Sequence, residues 1–418
     1  FIEGGRSRTG KLLSPKTGLL SILLDAYRGG ACEDLILAPI FIGYDKVPEE
    51  KAYLHELEGG KKEPESLAQV IKARKFLKKR FGKIYIEFHE PISLKALMER
   101  NQLALETMDK EATSAFCRNI GHRVIHAINR ITIITPHALV AASVLNQPRG
   151  HYTYEDVVRV AEVYLKHLNF HGYKLADTLI MDPRHALEQA FEAYRQRKFV
   201  EPVGAGDEGP EDQVRYRTNA DKRPSLEYYK NNCVACFVPA AFTSLAILET
   251  DAFQFISTDL HLNYRFLRDL FKYEFAYDIE KPAEFYVRKS IKALIDDAAL
   301  MPHATLPDTY HITSAGLREL QLYARFTKSY LEAYLVVLTQ IGRQKSGDVG
   351  YKEHTKKATA LGGRMLKRGE ITCPEALSQV TFKNARNFFN SRGIESIEDD
   401  EAARPYREAV QRYLGLLR

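Results

Sequence analysis

No uninterrupted apolar run in this 418-residue chain reaches the roughly 18 residues of a membrane-spanning helix. The nearest run, Cys233 to Leu248, is broken by Pro239 and carries Thr243 and Ser244. A kinked core helix is the expectation there, with a segment dipping into one membrane leaflet as the alternative. Cysteine is also scarce. Five scattered cysteines exclude a disulfide framework and fit a reducing compartment. No internal repeat and no low-complexity tract is visible. The first residue is Phe rather than Met, and no signal-peptide pattern opens the chain. Phe1-Ile2 reads as the end of a buried strand, so the expectation is a fragment cut inside a domain.

The length implies two or three domains. A hydrophobic content of 45% and a charged content of 27% are those of a globular protein with apolar material for real cores. The net charge of +6 is modest and suits an anionic partner: a phosphorylated metabolite, an acidic carrier protein or an anionic lipid surface.

Residues 1–96 alternate between strand and helix patterns. Thr17 to Tyr27 carries a helical apolar stripe, and Leu35 to Ile42 is a continuous apolar run around Pro39. Glu65 to Arg80 has helical spacing, and Lys83 to Phe88 alternates like a strand. The expected fold class is an α/β domain with at least part of its sheet parallel, followed by a largely α-helical C-terminal region. Helices are expected over Glu111 to Ile134, over Pro136 to Leu145 capped by Thr135, from Thr153 onward, and over Pro183 to Phe199. Residues 97–200 thus form a helical region. Residues 201–224, rich in Gly, Pro and acids, read as a linker, and 225–418 as a helical C-terminal domain.

The stretch Glu3-Gly4-Gly5-Arg6-Ser7-Arg8-Thr9-Gly10-Lys11 holds the densest chemistry. Two adjacent glycines let a backbone turn tightly and bring its N–H groups to an anion. Arg6 and Arg8 add guanidinium forks that match phosphate oxygens, and Ser7 and Thr9 add hydroxyls. A phosphate-monoester site is one reading, a surface turn with solvated arginines the other. A third comes from the G-x4-G-K spacing of Gly5 to Lys11, half of a nucleotide P-loop. Its next residue is Leu12, where Ser or Thr should hold magnesium, which disfavours an NTPase.

Other constellations carry less. Cys233 and Cys236 form a C-x2-C inside an apolar run with no second pair, so buried thiols are expected rather than zinc ligands. His122 and His126 share a helix face without a third ligand, and no metal is implied. From Val70 to Lys83 the chain has seven bases and no acid. A solvated basic face is the plain reading; docking of an acidic carrier protein or an anionic membrane surface is the functional one. Nucleic acid is disfavoured, because no reader motif accompanies the bases.

The segment from Phe1 to Ser21 resembles the third conserved block of the glycerol-phosphate acyltransferase family, its large bacterial glycerol-3-phosphate 1-O-acyltransferases in particular. Leu37 to Val47, with Pro39, resembles the fourth block. The likeness continues through His55 to Leu67 and Ile86 to Leu94, and more weakly at Tyr228 to Asn232 and Leu322 to Leu338. The resemblance implies glycerol-phosphate binding by Glu3, Gly4, Gly5, Arg6 and Ser7, with Arg8 helping and Pro39 shaping the pocket. It further implies acyl transfer from acyl-CoA or acyl-carrier protein to the sn-1 hydroxyl of glycerol 3-phosphate, giving lysophosphatidic acid in phospholipid biosynthesis. No cofactor is implied. A peripheral or monotopic place on the cytoplasmic face of the inner membrane is. Dihydroxyacetone-phosphate acyltransferase, an NTPase and a non-catalytic binding protein are the alternatives.

The family's chemistry uses a His-x4-Asp pair as general base, ahead of the Gly/Arg loop. Two formal matches occur here, His151 to Asp156 and His303 to Asp308, both after it. With 13 histidines, roughly one such match arises by chance. Asp156 fits the first turn of a helix, and His303 lies in a Pro-bounded loop. No catalytic residue is therefore expected in this chain.

Overall fold

The computed structural model describes residues 2–5, 7, 9–45, 82–148, 150–204, 214–345 and 350–417. Helix α1 (Gly18–Arg28) buries Leu20 and Leu24, one turn apart, and leaves Leu19 and Ile22 exposed. The apolar run beginning at Leu35 does not form one strand. Pro39 lacks an amide donor and turns the chain between β1 (Ile36–Leu37) and β2 (Ile40–Tyr44). Strands β3 (Ile84–Phe88) and β4 (Ile92–Ser93) follow residues 46–81. β1 pairs with β4 and β2 with β3, both antiparallel, from Ile40 opposite Phe88 to Tyr44 opposite Ile84. The partly parallel sheet expected for residues 1–96 is thus absent from the described residues, where two separate antiparallel pairs stand instead. The helix expected over Glu65 to Arg80 lies outside them, as does most of the basic run.

β2 and β3 present one apolar face of Ile40, Ile42, Tyr44, Ile84, Ile86 and Phe88, every residue exposed. Helices α2 (Leu94–Arg100) and α3 (Lys110–Arg130) complete a small cluster with α1, built on Leu24, Leu94, Phe116 and Ile120.

The rest of the chain is one continuous core from Ile134 to Leu417. It contains a structural repeat that the sequence does not announce. Helix α4 (Pro136–Leu145) is capped by Thr135, whose hydroxyl accepts from Ala138 N at 3.2 Å. It leads into β5 (His151–Tyr152), α5 (Tyr154–Phe170), a short α6 (Asp177–Met181), α7 (Pro183–Gln196), β6 (Val200–Pro202), β7 (Tyr216–Thr218) and α8 (Arg223–Asn231). The second copy runs α9 (Val234–Glu249), β8 (Gln254–Ile256), α10 (Leu260–Leu270), α11 (Ala283–Asp296), β9 (Leu300–Pro302), β10 (Thr309–Ile312) and α12 (Ser314–Ala324). Each copy has a three-stranded antiparallel sheet with its last strand in the middle. Lys198 and Ala298 both take φ of 56° just before the second strand. Asn219 N donates to Phe199 O at 3.0 Å, and Thr313 N to Ala299 O at 3.1 Å. The shared frame is backbone hydrogen bonding, which side-chain identity does not display.

Residues 201–224, expected as a linker, carry β6, β7 and the start of α8, with 205–213 outside the described residues. α9 is a buried core helix containing Pro239 and follows α8 after a bend of 96°. No single helix is long and apolar enough to cross a membrane; this bent pair alone passes by length and composition among the described residues. Helices α13 (Lys328–Ile341), α14 (Tyr351–Lys367), α15 (Gln379–Asn390) and α16 (Asp400–Leu416) close the core, with α13 buried along most of its length.

On α12, burial raises the Glu319 pKa to about 7, and the charge of Asp297 adds to the shift. The folded carboxyl thus holds its proton more tightly than an unfolded one. Its contribution is full below pH 4.5 and is lost as pH rises to about 7. Glu319→Gln should flatten the decline of melting temperature across that window. An unchanged slope in melts from pH 4 to pH 8 would show that another group titrates there.

Candidate functional site

The Gly/Arg loop occupies the seam between the small cluster and the helical core. Its entry and exit are joined, Lys16 N donating to Ile2 O at 2.8 Å. Glu3 reaches inward, and its Oε2 accepts from Leu13 N at 3.0 Å. Burial raises its pKa, with the Leu13 bond opposing. Gly4 takes φ of +68°, and a Cβ there would meet Lys16 Cδ at 2.5 Å. Ser7 Oγ donates to Lys11 O at 2.5 Å, closing one turn of the loop. Glu3 and Ser7 therefore brace the loop with these bonds. Arg6 and Arg8 lie outside the described residues.

The C-terminal side of the loop is fastened to the helical core. Gly10 takes φ of +85°, and a Cβ there would stand 2.0 Å from the Tyr228 carbonyl oxygen, so only glycine fits. Asn231 Nδ2 donates to Thr9 O at 2.8 Å, and Tyr330 Oη donates to Asn231 Oδ1 at 2.7 Å. Lys11 runs fully inward. Its ammonium pairs with Glu274, both side chains almost inaccessible, and lies 4.4 Å from the ring centre of Tyr330 and 5.0 Å from that of Phe275. Burial raises the Glu274 pKa, and the Lys11 charge opposes that rise. A lysine so engaged is a structural anchor, not a nucleotide ligand, which counts further against the P-loop alternative. Sequence reasoning missed Glu274, Asn231 and Tyr330 as loop partners. The weak likenesses around Tyr228 to Asn232 and Leu322 to Leu338 were the signal, since both segments meet here.

Beside this anchor lies a cavity of about 250 Å³, lined by Thr9, Lys11, Tyr228, Asn231, Ser329 and Tyr330 among others. The Thr9 hydroxyl is buried without a hydrogen-bond partner. Pro39 is not part of this network. It is buried at the β1–β2 corner, where its carbonyl accepts from His89 N at 3.0 Å.

The remaining candidates have ordinary roles. Asp156 caps α5, accepting from Thr153 N at 2.9 Å, and His151 is an exposed strand residue opposite Arg217. His303 Nδ1 accepts from Thr305 N and Leu306 N in its own loop. Cys233 and Cys236 are fully buried, and burial pushes the Cys233 thiol up to about 12. His126 Nε2 lies 3.6 Å from Asp278 Oδ2.

The geometry defines a braced loop with glycines at its turns, fastened to a largely helical core. Residues 53–398 match the model of the glycerol-3-phosphate acyltransferase C-terminal region, and the chain belongs to that family. It is 30% identical over 276 residues to the glycerol-3-phosphate acyltransferase of Pseudomonas putida KT2440, covering 64% of this chain and 32% of that protein. The Glaesserella parasuis protein of the same name is 25% identical over 428 residues, 100% of this chain and 51% of its own. The dihydroxyacetone phosphate acyltransferase of Oryctolagus cuniculus is 26% identical over 416 residues, 94% of this chain and 59% of its own. The chain thus spans about half the length of relatives that match it throughout.

The buried ion pair gives a direct test. Glu274→Ala leaves the Lys11 ammonium without its counter-charge and should cost about 3–5 kcal/mol. Lys11→Met combined with Glu274→Leu should recover most of that loss. Urea denaturation of the three proteins reads it out; a single variant as stable as the parent would remove the pair from its anchoring role.

Proposed function

We propose that this chain is part of a glycerol-3-phosphate 1-O-acyltransferase and contributes the grip on the substrate phosphate. The observation that carries the proposal is the loop's fastening: Glu3, Gly4, Ser7 and Gly10 set its path, and Lys11 and Thr9 tie it to the helical core. A loop held this way presents its arginines from a fixed base, so phosphate binding costs little ordering entropy. Arg6 takes the phosphate and Arg8 assists, each a charge-assisted fork on the phosphate oxygens. The cavity beside Thr9 gives the glycerol portion a wall with hydroxyl partners.

The reaction is attack of the sn-1 hydroxyl on the thioester carbonyl of acyl-CoA or acyl-carrier protein. The hydroxyl loses its proton to a base, the C–O bond forms, and the thiol leaves with a proton. Neither His-x4-Asp match in this chain is free for that work, because Asp156 caps a helix and His303 accepts from its own loop. The base is therefore proposed to come from a His-x4-Asp segment elsewhere in the longer protein. The open apolar face of β2 and β3 supports an α/β acyltransferase domain completed by further chain, with the helical region following it. Apolar exposure of that kind also suits a peripheral or monotopic protein of the cytoplasmic membrane face. An anionic membrane surface would then meet the basic run ending at Lys83.

Dihydroxyacetone phosphate is the second reading of the acceptor, favoured by the likeness to the rabbit enzyme over 94% of this chain. Both acceptors present the same phosphate to the same loop, so competition between them in the full-length enzyme decides which is preferred.

Arg6→Ala in the full-length enzyme should raise the KM for glycerol 3-phosphate and lower turnover, leaving the KM for the acyl donor close to its original value. Unchanged steady-state parameters for glycerol 3-phosphate would show that the loop does not hold the phosphate.

A further inference from the structure

A second cavity, of about 310 Å³, shares Ser329 and Glu375 with the first and differs from it in character. It is framed by the loop after α4, by Thr218 of β7, by α8, by the joint between α12 and α13, and by Thr372 and Cys373. Four bases line it: Arg223, Lys230, Arg325 and Lys328. Their carboxylate partners divide them into two kinds. Arg223 forks onto Glu375, its Nε and Nη2 lying 2.8 and 2.6 Å from the two carboxylate oxygens. Lys230 Nζ lies 2.6 Å from Glu227 Oε2, and Glu227 Oε1 accepts from Ser329 Oγ at 2.9 Å. Glu332 is engaged elsewhere, accepting from Thr372 N, Thr372 Oγ1 and Cys373 N. Among the described residues Arg325 and Lys328 form no ion pair, and Arg325 Nε is buried without a hydrogen-bond partner.

A buried guanidinium N–H left without an acceptor keeps its desolvation cost with nothing to offset it. Arg325 and Lys328 line the polar cavity without a counter-charge from the chain, and that calls for an anion the chain does not supply. Arg325 opens the short turn before α13, and Lys328 is the first residue of that helix. Two unmatched cations in a polar cavity therefore frame an acceptor-rich anion. The volume exceeds what a single small ion fills and suits a phosphate carried on a small organic group.

We infer that the Arg325–Lys328 cavity is a second anion site, separate from the Gly/Arg loop, and that its ligand bears a phosphate group. Asn146 and Thr218 also line the cavity, with Asn146 Nδ2 donating to Tyr164 Oη at 2.9 Å and Thr218 Oγ1 hydrogen-bonded to Tyr152 Oη at 2.9 Å. The phosphate could be free or esterified; the recognising chemistry is the same, and the experiment distinguishes the two.

Arginine footprinting of the full-length protein tests the site without requiring a variant. Phenylglyoxal modification of Arg325 is followed by peptide mass spectrometry in sodium phosphate, in glycerol 3-phosphate and in sodium chloride at equal ionic strength. Phosphate should slow the modification of Arg325 several-fold relative to chloride, with Arg223 as an internal reference shielded by Glu375. Protection reached at lower concentration with glycerol 3-phosphate identifies an ester as the ligand; protection by inorganic phosphate alone identifies the free ion. Lys328→Gln should abolish protection, and Lys328→Arg should restore it. Arg6→Ala, which disables the loop, should leave it intact. Equal rates in all three salts would overturn the site, and protection lost in Arg6→Ala would return the effect to the loop.

Discussion

The contact between Lys11 and Glu274 is the constraint on which the loop's geometry depends. Withdrawing two charges from water costs several kcal/mol per ion before any pairing. The gain must come from close approach in a dry setting, and here the ammonium also meets the faces of Tyr330 and Phe275. Such a pair tolerates little displacement, because separation leaves two buried charges unmatched. The residue before it, Gly10, passes so close to the Tyr228 carbonyl that no Cβ is admitted. Steric and electrostatic restraints thus act on consecutive residues, and the arginines of the loop start from a fixed end.

The repeated architecture explains why the partners are where they are. In each copy a helix follows the central strand of the small sheet: α8 after β7, α12 after β10. Tyr228 and Asn231 sit on α8 of the first copy. Arg325, Ser329 and Tyr330 follow α12 of the second. The two cavities lie where these segments meet, and Phe271 and Phe275 pack against Tyr330, which lines the first of them. Residues about a hundred positions apart are thereby brought to a single nine-residue loop.

Local signals in the sequence were legible where a single residue type decides the outcome. Thr135 before Pro136 and the Thr153–Asp156 box follow from caps, which act over a few residues. The glycines of the loop were readable for the same reason. The apolar run from Leu35 to Ile42, by contrast, reads as continuous and is broken at Pro39 into two strands. Lys11 illustrates the opposite case. In sequence it completes half of a nucleotide motif, while in the structure its partner stands more than two hundred residues away. Nothing in a local pattern distinguishes a lysine that meets a phosphate from one that meets a buried carboxylate. The sheet arrangement failed for a related reason: alternating strand and helix patterns do not state which strands pair. The repeat was hidden because its copies share backbone bonds and a positive φ at Lys198 and Ala298, not side chains.

The boundary between the two cavities shows how the two proposed anion sites would stay electrically distinct. Ser329 and Glu375 line both, and Glu227 faces the first while pairing with Lys230 of the second. Each carboxylate on this partition is matched to a cation on the polar side, so the wall carries paired rather than free charge. Paired charges produce a field that falls off faster with distance than that of isolated ones. An anion at the proposed Arg325–Lys328 site would therefore meet little unbalanced charge from the carboxylates of this wall. That separation needs both Glu227 and Glu375 to remain ionised. For Glu375 the attraction of Arg223 overcomes the effect of burial and keeps its pKa below the usual carboxylate value.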